Sequence, residues 1–307
     1  MAEEKIVIGK GTEFPLDGIL TLPENAEKPV PAVVFVHGSG SSNMDEKVMK
    51  LTPFKDLAKG LAKHGIASVR YDKRSFAHGR KMLKAGSITV KEEVVEDAVM
   101  ASELLKNDKR IDPEKVFIIG HSMGAMLAPR IDAEGGNFKG LILMAGTLAK
   151  LEEVLFRQLD EMKNGKSKIM SWVASAQDKK FRKSFEGLYS LSDEEAKKRK
   201  YAGGVDLYYF KEMGMHPAEK YLENIEKPVL VMQGSKDLQV SKKDFDGYKK
   251  LLGDKENVSF KLYDGLNHCF VPALYDDISK ATKEFSVERH IGEDVIFDIA
   301  GWIFENC

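Results

Sequence analysis

The sequence predicts an α/β fold, with a mostly parallel, twisted β-sheet and helices on both of its faces. Continuous apolar runs rich in β-branched residues recur along the chain, as expected of strands that are buried on both faces. Segments with apolar residues at helical spacing separate these runs, and this alternation favours right-handed crossovers between parallel strands. The length of 307 residues and the 43% share of hydrophobic residues allow a core that needs no disulfides.

Residues 1–146 supply the first part of the predicted sheet. Two short opening strands are expected at 5–8 and 17–22, and inner strands at 31–36, 66–71, 115–119 and 141–145. Helices are expected at 54–64 and 90–105, and from 122 to about 133. Asp112-Pro113 predicts a break before the third inner strand.

The alternation stops between residues 147 and 226. This stretch is rich in lysine and glutamate, has few β-branched runs and carries scattered aromatic residues, so it predicts several amphipathic helices. The sheet then resumes with strands at 228–233 and 258–263 and helices at 241–252 and 291–304. We therefore expect an α/β core at 1–146 and 227–307 and a helical cap, or lid, inserted at 147–226.

The charges nearly cancel, with 47 Lys and Arg against 48 Asp and Glu and a net charge of −1. The chain has no excess of basic residues that would indicate a nucleic-acid or membrane-surface partner. No apolar run approaches the roughly 18 residues of a membrane span. The first residues, Met-Ala-Glu-Glu-Lys, lack the pattern of a signal peptide, so a cytoplasmic location is expected. The two cysteines show no metal-ligand spacing, and neither a metal nor a cofactor is predicted. The oligomeric state is open, with a homodimer as one option.

The sharpest chemical motif is Gly120-His121-Ser122-Met123-Gly124. It directly follows the strand Lys-Val-Phe-Ile-Ile and precedes a helical pattern, which is the context of a nucleophile elbow. The tight turn exposes the serine hydroxyl at the sheet edge, and the helix dipole favours negative charge there. Ser122 is therefore predicted to be a catalytic nucleophile.

A serine nucleophile needs a base, and the base needs an acid that orients it. Three histidines follow Ser122: His216 in the predicted cap, His268 just past the strand at 258–263, and His290 at the start of the last helix. His268 is favoured because its loop lies at the carboxyl edge of the sheet, where the serine also points. His290 is the alternative base.

The acid is expected at the end of the preceding strand, where Gln-Gly-Ser-Lys-Asp supplies Asp237. Asp264, shortly before the histidine, is more typical of a turn. Asp244 and Asp246 are expected on a solvated helix face. Asp237 therefore completes the predicted triad.

The sequence His-Gly-Ser-Gly at 37–40 directly follows the strand at 31–36. In hydrolases with a nucleophile elbow, the loop after that strand gives one backbone N–H to the oxyanion hole, and the residue after the nucleophile gives the other. The predicted donors are therefore the backbone N–H groups of Ser39 and Met123.

These motifs resemble those of the α/β-hydrolase superfamily, and in particular those of bacterial carboxylesterases with a helical cap, including the cinnamoyl or feruloyl and the short-acyl esterase groups. Over 1–146 and 227–307 the matching pieces are His-Gly-Ser-Gly at 37–40, Arg-Tyr-Asp-Lys-Arg at 70–74, Gly-His-Ser-Met-Gly at 120–124, Gln-Gly-Ser-Lys-Asp at 233–237 and Gly-Leu-Asn-His at 265–268. The resemblance implies Ser122 as nucleophile, His268 as base and Asp237 as acid. It also implies a structural role for Asp72 and Arg74, on a loop beside the site.

The sequence thus predicts a serine carboxylesterase that hydrolyses short-chain acyl or aryl (hydroxycinnamoyl-type) esters through an acyl-enzyme. An acyl-CoA thioesterase is the main alternative because it uses the same chemistry. A serine peptidase and a non-catalytic binding module on the same fold are further alternatives. A small-molecule ester is the predicted partner.

Five more residues carry expectations about the site. His37 and the cap residues Tyr209, Met213 and Met215 are candidate substrate contacts. Cys269, beside the predicted base, is expected to be a small buried hydrophobe. Its position predicts that bulky thiol reagents would inhibit the enzyme.

Overall fold

Eight strands of the described chain form a single sheet. They are β1 (Ala2–Ile8), β2 (Leu16–Leu22), β3 (Val30–Val36), β4 (Ala67–Tyr71), β5 (Ile111–His121), β6 (Leu141–Met144), β7 (Val229–Gly234) and β8 (Val258–Tyr263). Their spatial order is β1-β2-β4-β3-β5-β6-β7-β8; β1 and β2 run antiparallel to their neighbours and the other pairs are parallel. This computed structural model describes residues 1–24, 27–86, 88–201 and 205–307, and it confirms the predicted α/β architecture.

Helices flank the sheet and connect its strands. They are α1 (Pro53–Lys63), α2 (Arg74–Ala85), α3 (Glu96–Lys106), α4 (Met123–Ile131), α5 (Leu151–Lys163), α6 (Lys168–Phe185), α7 (Asp193–Lys198), α8 (Leu207–Met215), α9 (Ala218–Leu222), α10 (Lys242–Leu252), α11 (Ala281–Phe285) and α12 (Glu293–Glu305). Single turns of π-helix precede α3 (Lys91–Val95) and follow α4 (Asp132–Gly136). Among the residues that the structure describes, no helix is both long enough and apolar enough to cross a bilayer.

The inner strands divide their side chains between two cores, one on each face of the sheet. In β3, Ala32, Val34 and Val36 enter the core formed with α3, α4 and α10. Val33 and Phe35 enter the opposite core, formed with α1 and α12. This alternation follows from the two-residue period of a strand. All five side chains are fully buried, and burying a valine or phenylalanine contributes about 1.5–3 kcal/mol, so both faces stabilise the strand.

Strand β5 begins earlier than the sequence predicts. Val30 pairs with Ile111 and Ala32 pairs with Val116, so the intervening residues of β5 bulge out of the ladder. The bulge accommodates Pro113, which has no N–H to donate to a neighbouring strand. The break expected at this proline is therefore a bulge within one strand.

Helix α2 is not predicted by the sequence. Its side chains are mostly exposed, and its backbone departs from helical angles at His78 (φ −131°, ψ 19°), so the helix is kinked there. Its first residue is Arg74. The loop on which the resemblance placed Arg74 is thus corrected to the start of a helix.

Between β6 and β7 the described chain forms α5 to α9. Aromatic residues join this segment to the core: the ring of Phe185 lies 5.0–5.5 Å from four other rings, those of Phe156, Phe181, Tyr201 and Phe210. Phe185 and Phe210 are buried in the same core as α3 and α4. Residues 202–204 of the predicted cap lie outside the described residues, and the division into core and cap stays a prediction.

The carboxyl ends of β3, β5, β7 and β8 lie at one edge of the sheet. The segments that follow them carry Ser39, Ser122, Asp237 and His268. Parallel strands present their carboxyl ends at the same edge. The fold therefore gathers four segments that are far apart in the sequence.

Candidate active site

Ser122 lies in the turn between β5 and α4, with φ +53° and ψ −117°. A residue with a side chain rarely adopts a positive φ, and such strain persists only where the surroundings hold it. Here the Ser122 N–H donates to the Met144 carbonyl oxygen at 2.9 Å. Glycine is required on both sides, because a Cβ at Gly120 would collide with the Gly124 backbone and a Cβ at Gly124 with the Val36 carbonyl. The elbow therefore presents Ser122 at the N-terminus of α4.

His268 and Asp237 form a buried pair. His268 Nδ1 and Asp237 Oδ2 are 2.7 Å apart, and the Asp237 side chain is fully enclosed. The same carboxylate accepts three further hydrogen bonds, at 2.8–3.0 Å, from Gln233 Nε2 and from the N–H groups of Gln239 and Val240. These donors hold the carboxylate in one orientation. Nδ1 of the imidazole therefore carries hydrogen, which leaves Nε2 as the basic nitrogen.

The loop of His268 is fixed against the nucleophile elbow. His121, which precedes Ser122, places its Nε2 2.8 Å from the carbonyl oxygen of His268, and the two imidazole rings lie 4.7 Å apart. Within the described residues, Ser122 Oγ forms no hydrogen bond to the His268 ring. Such bonds often tighten only in the substrate complex. The structure thus brings the three side chains to one region without closing the serine–histidine bond.

The predicted oxyanion donors, Ser39 and Met123, line a common cavity. Met123 is the first residue of α4, so its N–H has no acceptor within the helix. Gly38 lies against Ser122, since a Cβ added there would be 3.2 Å from the Ser122 Cβ. The loop at 37–40 and the elbow therefore border the same space, as an oxyanion hole requires.

Lys73 supports the oxyanion loop, and sequence reasoning missed it. Its Nζ donates to the carbonyl oxygens of Gly38 (2.9 Å) and Gly40 (3.0 Å), and its side chain is 2% exposed. In a trans peptide the C=O and the following N–H point in opposite directions. The bond to the Gly38 carbonyl therefore turns the Ser39 N–H away from Lys73. The motif at 70–74 contains this lysine, but nothing in the motif indicates its partners.

The cavity beside Ser39 and Met123 has a volume of about 540 Å³. Its wall is mostly apolar. The apolar and aromatic side chains of the wall include those of Met82, Leu83, Ile88, Leu151, Leu155, Tyr201, Val205 and Phe210. Glu93 and Asp206 add carboxylates, and Glu93 accepts a hydrogen bond from the Tyr209 hydroxyl at 2.8 Å. Such a cavity suits a small, mostly apolar molecule. In the described part of the chain, no cluster of three or more His, Cys, Asp or Glu side chains could hold a metal.

Of the four candidate substrate contacts, Tyr209 lines this cavity, whereas the other three are not among its described lining residues. His37 is 2% exposed, and its Nε2 lies 3.0 Å from the Asn43 carbonyl oxygen, so its ring is held inside the core. On α8, Met213 is buried and Met215 is 56% exposed. The substrate contacts expected for His37, Met213 and Met215 stay predictions, which the lining of this cavity does not support.

The alternative bases and acids lie in other surroundings. His216 Nδ1 is 2.7 Å from the Tyr221 hydroxyl, and His290 Nδ1 is 3.0 Å from Asp56 Oδ1. Asp264 accepts a hydrogen bond, at 2.9 Å, from a serine hydroxyl in the loop after β7. The histidine and the aspartate predicted for the triad are therefore the pair that lies beside the elbow.

Asp72 and Arg74 connect elements around the site. Asp72 Oδ1 accepts the Met44 N–H at 2.7 Å, which ties the end of β4 to the loop after β3. Arg74 forms a buried ion pair with Asp97 of α3 at 2.5 Å. Both contacts are structural, as the resemblance implied.

The chain matches a family model described as serine aminopeptidase, S33, over residues 27–272. This span includes β3 to β8, the elbow, and the loops of Asp237 and His268. The chain belongs to this α/β-hydrolase family. The predicted resemblance to α/β-hydrolases is therefore confirmed.

Three known proteins are similar over nearly the whole chain. Esterase EstD of Thermotoga maritima is 32% identical over 302 residues, which are 98% of this chain and 67% of that protein. Est1E from Butyrivibrio proteoclasticus, in its structure with ferulic acid bound, is 18% identical with a TM-score of 0.58, over 96% of this chain and 99% of that one. Dipeptidyl peptidase 4 of Porphyromonas gingivalis is 13% identical with a TM-score of 0.55, over 99% of this chain and 35% of that one. The two solved structures show the shared fold alone.

Proposed function

We propose that this α/β-hydrolase is a serine carboxylesterase that cleaves short-chain acyl or aryl (hydroxycinnamoyl-type) esters through an acyl-enzyme. The family and the 32% identity to an esterase support the broader statement that the chain is a carboxylic ester hydrolase. One observation carries the finer proposal: the strained Ser122 elbow is tied, through His121, to the buried pair of His268 and Asp237.

The proposed reaction has two steps. His268 Nε2 removes the Ser122 proton as Oγ bonds to the ester carbonyl carbon, and the resulting oxyanion accepts hydrogen bonds from the N–H groups of Ser39 and Met123. Asp237 stabilises the imidazolium. The bond to the alcohol then breaks, and the alcohol leaves with the proton from His268. Water attacks the acyl-enzyme in the second step with His268 as base, which releases the acid and restores Ser122.

The cavity supports the proposed substrate class. Its volume of about 540 Å³ lies within the range of small-molecule sites. The apolar wall, with the aromatic rings of Tyr201 and Phe210, favours an acyl chain or an aryl group over a charged one. The ferulic acid bound by the structural neighbour Est1E agrees with an aryl acyl group.

The cavity wall favours an ester over a peptide with a free amino terminus. An aminopeptidase needs a carboxylate that is free to bind the terminal ammonium. Glu93 already accepts from Tyr209 and lies 3.9 Å from the Lys73 ammonium. Asp206 accepts the Tyr209 N–H at 3.2 Å and lies 3.7 Å from Lys200. Both carboxylates of the described wall are therefore engaged.

The proposal is tested by replacing Ser122 with alanine. Hydrolysis of p-nitrophenyl butyrate should fall about 10⁴-fold or more, because both the nucleophile and the acyl-enzyme are lost. A fluorophosphonate probe should label Ser122 in the unchanged protein, as mass spectrometry of the labelled peptide would show. Ser102→Ala, which removes a buried hydroxyl on α3, is the matched control and should keep its turnover. Turnover retained by folded Ser122→Ala would refute the proposal.

A substrate panel separates the alternatives. Feruloyl esters and p-nitrophenyl esters of increasing chain length should be cleaved faster than acyl-CoA or dipeptide anilides. Higher kcat/KM on acyl-CoA would instead favour a thioesterase. Folded protein that neither reacts with the probe nor turns over any ester would favour a non-catalytic module. The proposed cytoplasmic location is tested by cell fractionation.

A further inference from the structure

Glu46 lies between the loops that carry the proposed site. Its Oε1 accepts the N–H of Gly38, in the oxyanion loop, at 2.7 Å. Its Oε2 lies 2.9 Å from His121 Nδ1. The two atoms form an ion pair, although their relative orientation does not meet the geometry of a hydrogen bond. The two side chains are 6% and 8% exposed. A carboxylate this deeply buried is stable only where such partners surround it.

His121 extends this contact to the loop of the base. Its Nε2 lies 2.8 Å from the His268 carbonyl oxygen, which can only accept a hydrogen bond. The Glu46 carboxylate on the other side can also only accept. Both ring nitrogens therefore face acceptors, and the imidazolium, with two N–H groups, is the form that satisfies both contacts.

We propose that Glu46 and His121 are positioning residues for the acyl-transfer site. Glu46 fixes the oxyanion loop through Gly38, and the charged His121 ties the elbow to the loop of His268. This inference rests on the proposed function of Ser122 and His268. Neither residue of the pair touches substrate in this assignment, and both act by holding the groups that do.

The electrostatic surroundings agree with a charged pair. Burial lowers the pKa of His121, but the Glu46 carboxylate raises it, and the net shift is upward. Burial raises the pKa of Glu46, but His121 lowers it, and the net shift is downward. The other titratable groups that face this pair include His268 and Asp237 on the side of the base, and His37 and the Cys269 thiol on the side of Glu46.

The variant Glu46→Gln separates charge from shape. The glutamine side-chain oxygen can still accept the Gly38 N–H, but the negative charge is gone. Without the Glu46 charge, burial lowers the pKa of His121, and the glutamine NH₂ group, a donor, faces Nδ1 in place of Oε2. A neutral imidazole then accepts from this NH₂ group at Nδ1 and donates from Nε2 to the His268 carbonyl oxygen, whereas an imidazolium would turn its Nδ1–H toward a donor. The link between elbow and base loop should therefore weaken as the pH falls and the ring takes up a proton.

The experiment measures kcat/KM on p-nitrophenyl butyrate from pH 5 to 9 for the unchanged protein and for Glu46→Gln. The ratio of variant to unchanged activity should fall as the pH falls toward 5, with a loss of up to about 10- to 100-fold, the size expected of a small misplacement of reacting groups. Taking the ratio removes the pH dependence that both proteins share. Glu46→Asp, which keeps the charge, should give a ratio that does not change with pH.

A matched control comes from Glu284, a carboxylate that is 2% exposed, accepts the Leu274 N–H at 2.8 Å and lies 3.7 Å from Arg289. Glu284→Gln should lower stability, with an activity ratio that is constant across pH. A purely structural role for Glu46 would give the same constant ratio, and that result would overturn the inference. If Glu46→Gln does not fold, His121→Gln replaces it. His121→Gln should slow fluorophosphonate labelling of Ser122 about tenfold or more, and an unchanged rate would overturn the inference.

The two proposals fail in different ways. Failure of the proposed function appears in the unchanged protein, as absent probe labelling or as turnover retained by Ser122→Ala. Failure of the positioning inference leaves both of these results intact and appears only in the pH dependence of the Glu46 ratio.

Discussion

Replacing Lys73 with methionine should give a folded protein with a much lower turnover number. Methionine nearly matches the length of the lysine stem but has no ammonium. The change therefore removes the hydrogen bonds to the carbonyl oxygens of Gly38 (2.9 Å) and Gly40 (3.0 Å) while filling the same space. The Gly38–Ser39 peptide loses the contact that sets the direction of the Ser39 N–H.

The size of the loss follows from the role of that N–H. Complete removal of one oxyanion donor costs about 2.7–4 kcal/mol of transition-state stabilisation. Lys73→Met leaves the Ser39 N–H in place but frees its orientation, so we expect about half of this, or roughly a 10- to 100-fold loss. The oxyanion exists only in the transition state and the tetrahedral intermediate. The loss should therefore fall on kcat, with little change in KM.

Stability should fall as well. Two hydrogen bonds from a charged donor are lost, each worth about 1.5–3 kcal/mol. Glu93 also loses its nearest cation, 3.9 Å away. The exposed backbone at Gly40 can bind water instead, so we expect a net loss of about 2–4 kcal/mol, measured by denaturant unfolding.

The assay compares kcat and KM on p-nitrophenyl acetate and butyrate for Lys73→Met and for Lys106→Met. Lys106, at the end of α3, also donates to two backbone carbonyls, those of Gly136 and Asn137, each at 2.8 Å. It donates to the segment after α4 and not to the loop at 37–40, so its loss should lower stability but not kcat. A normal kcat for folded Lys73→Met would refute the reasoning, and so would an equal fall in kcat for Lys106→Met.

Three more outcomes follow from the structure. Gly124→Ala should lower the free energy of unfolding by about 3 kcal/mol or more, because the new Cβ meets the Val36 carbonyl; an unchanged denaturation midpoint would contradict this. Cys269 is 3% exposed and burial raises the pKa of its thiol well above the usual range, so a disulfide reagent should modify exposed Cys307 first without loss of activity, contrary to the inhibition that the sequence predicts. If activity were instead lost at the rate at which the first thiol is modified, the inhibition that the sequence predicts would hold. Burial lowers the pKa of His37 to about 4, so between pH 6.5 and 4 the unfolded chain binds more protons and the free energy of unfolding falls by about 3 kcal/mol as the pH drops. In denaturant titrations His37→Gln should flatten this fall, and an unchanged slope would contradict the assignment.

The sheet could be predicted from the sequence because its signals are local. The run Pro-Ala-Val-Val-Phe-Val is apolar at every position, since β3 is covered on both faces, with Val34 in one core and Phe35 in the other. The elbow is equally local, because the strand, the two glycines and the helix N-terminus are consecutive in the chain. Asp237 and His268 could be placed because each follows a parallel strand and so lies at the same edge as Ser122.

Other parts of the fold could not be predicted, for reasons that are also physical. Helix α2 has few buried side chains and is kinked at His78, so it has no continuous buried face of the kind by which a sequence predicts a core helix. The bulge around Pro113 depends on how β5 pairs with β3, and the proline alone indicates only a break. His37 follows a strand beside the site, but its ring is captured by the Asn43 carbonyl, a contact that spacing along the chain does not reveal.

The supporting residues of the site were hidden for a different reason. Lys73 and Glu46 are two of 47 basic and 48 acidic residues, and the sequence offers no sign that either is buried. A buried charge is stable only when dipoles or an opposite charge surround it. For Lys73 those dipoles are the carbonyls of Gly38 and Gly40, and for Glu46 they are the Gly38 N–H and the His121 ring. The oxyanion loop therefore cannot move away without leaving a buried charge unpaired, so the same contacts that stabilise the fold also hold the Ser39 donor in place.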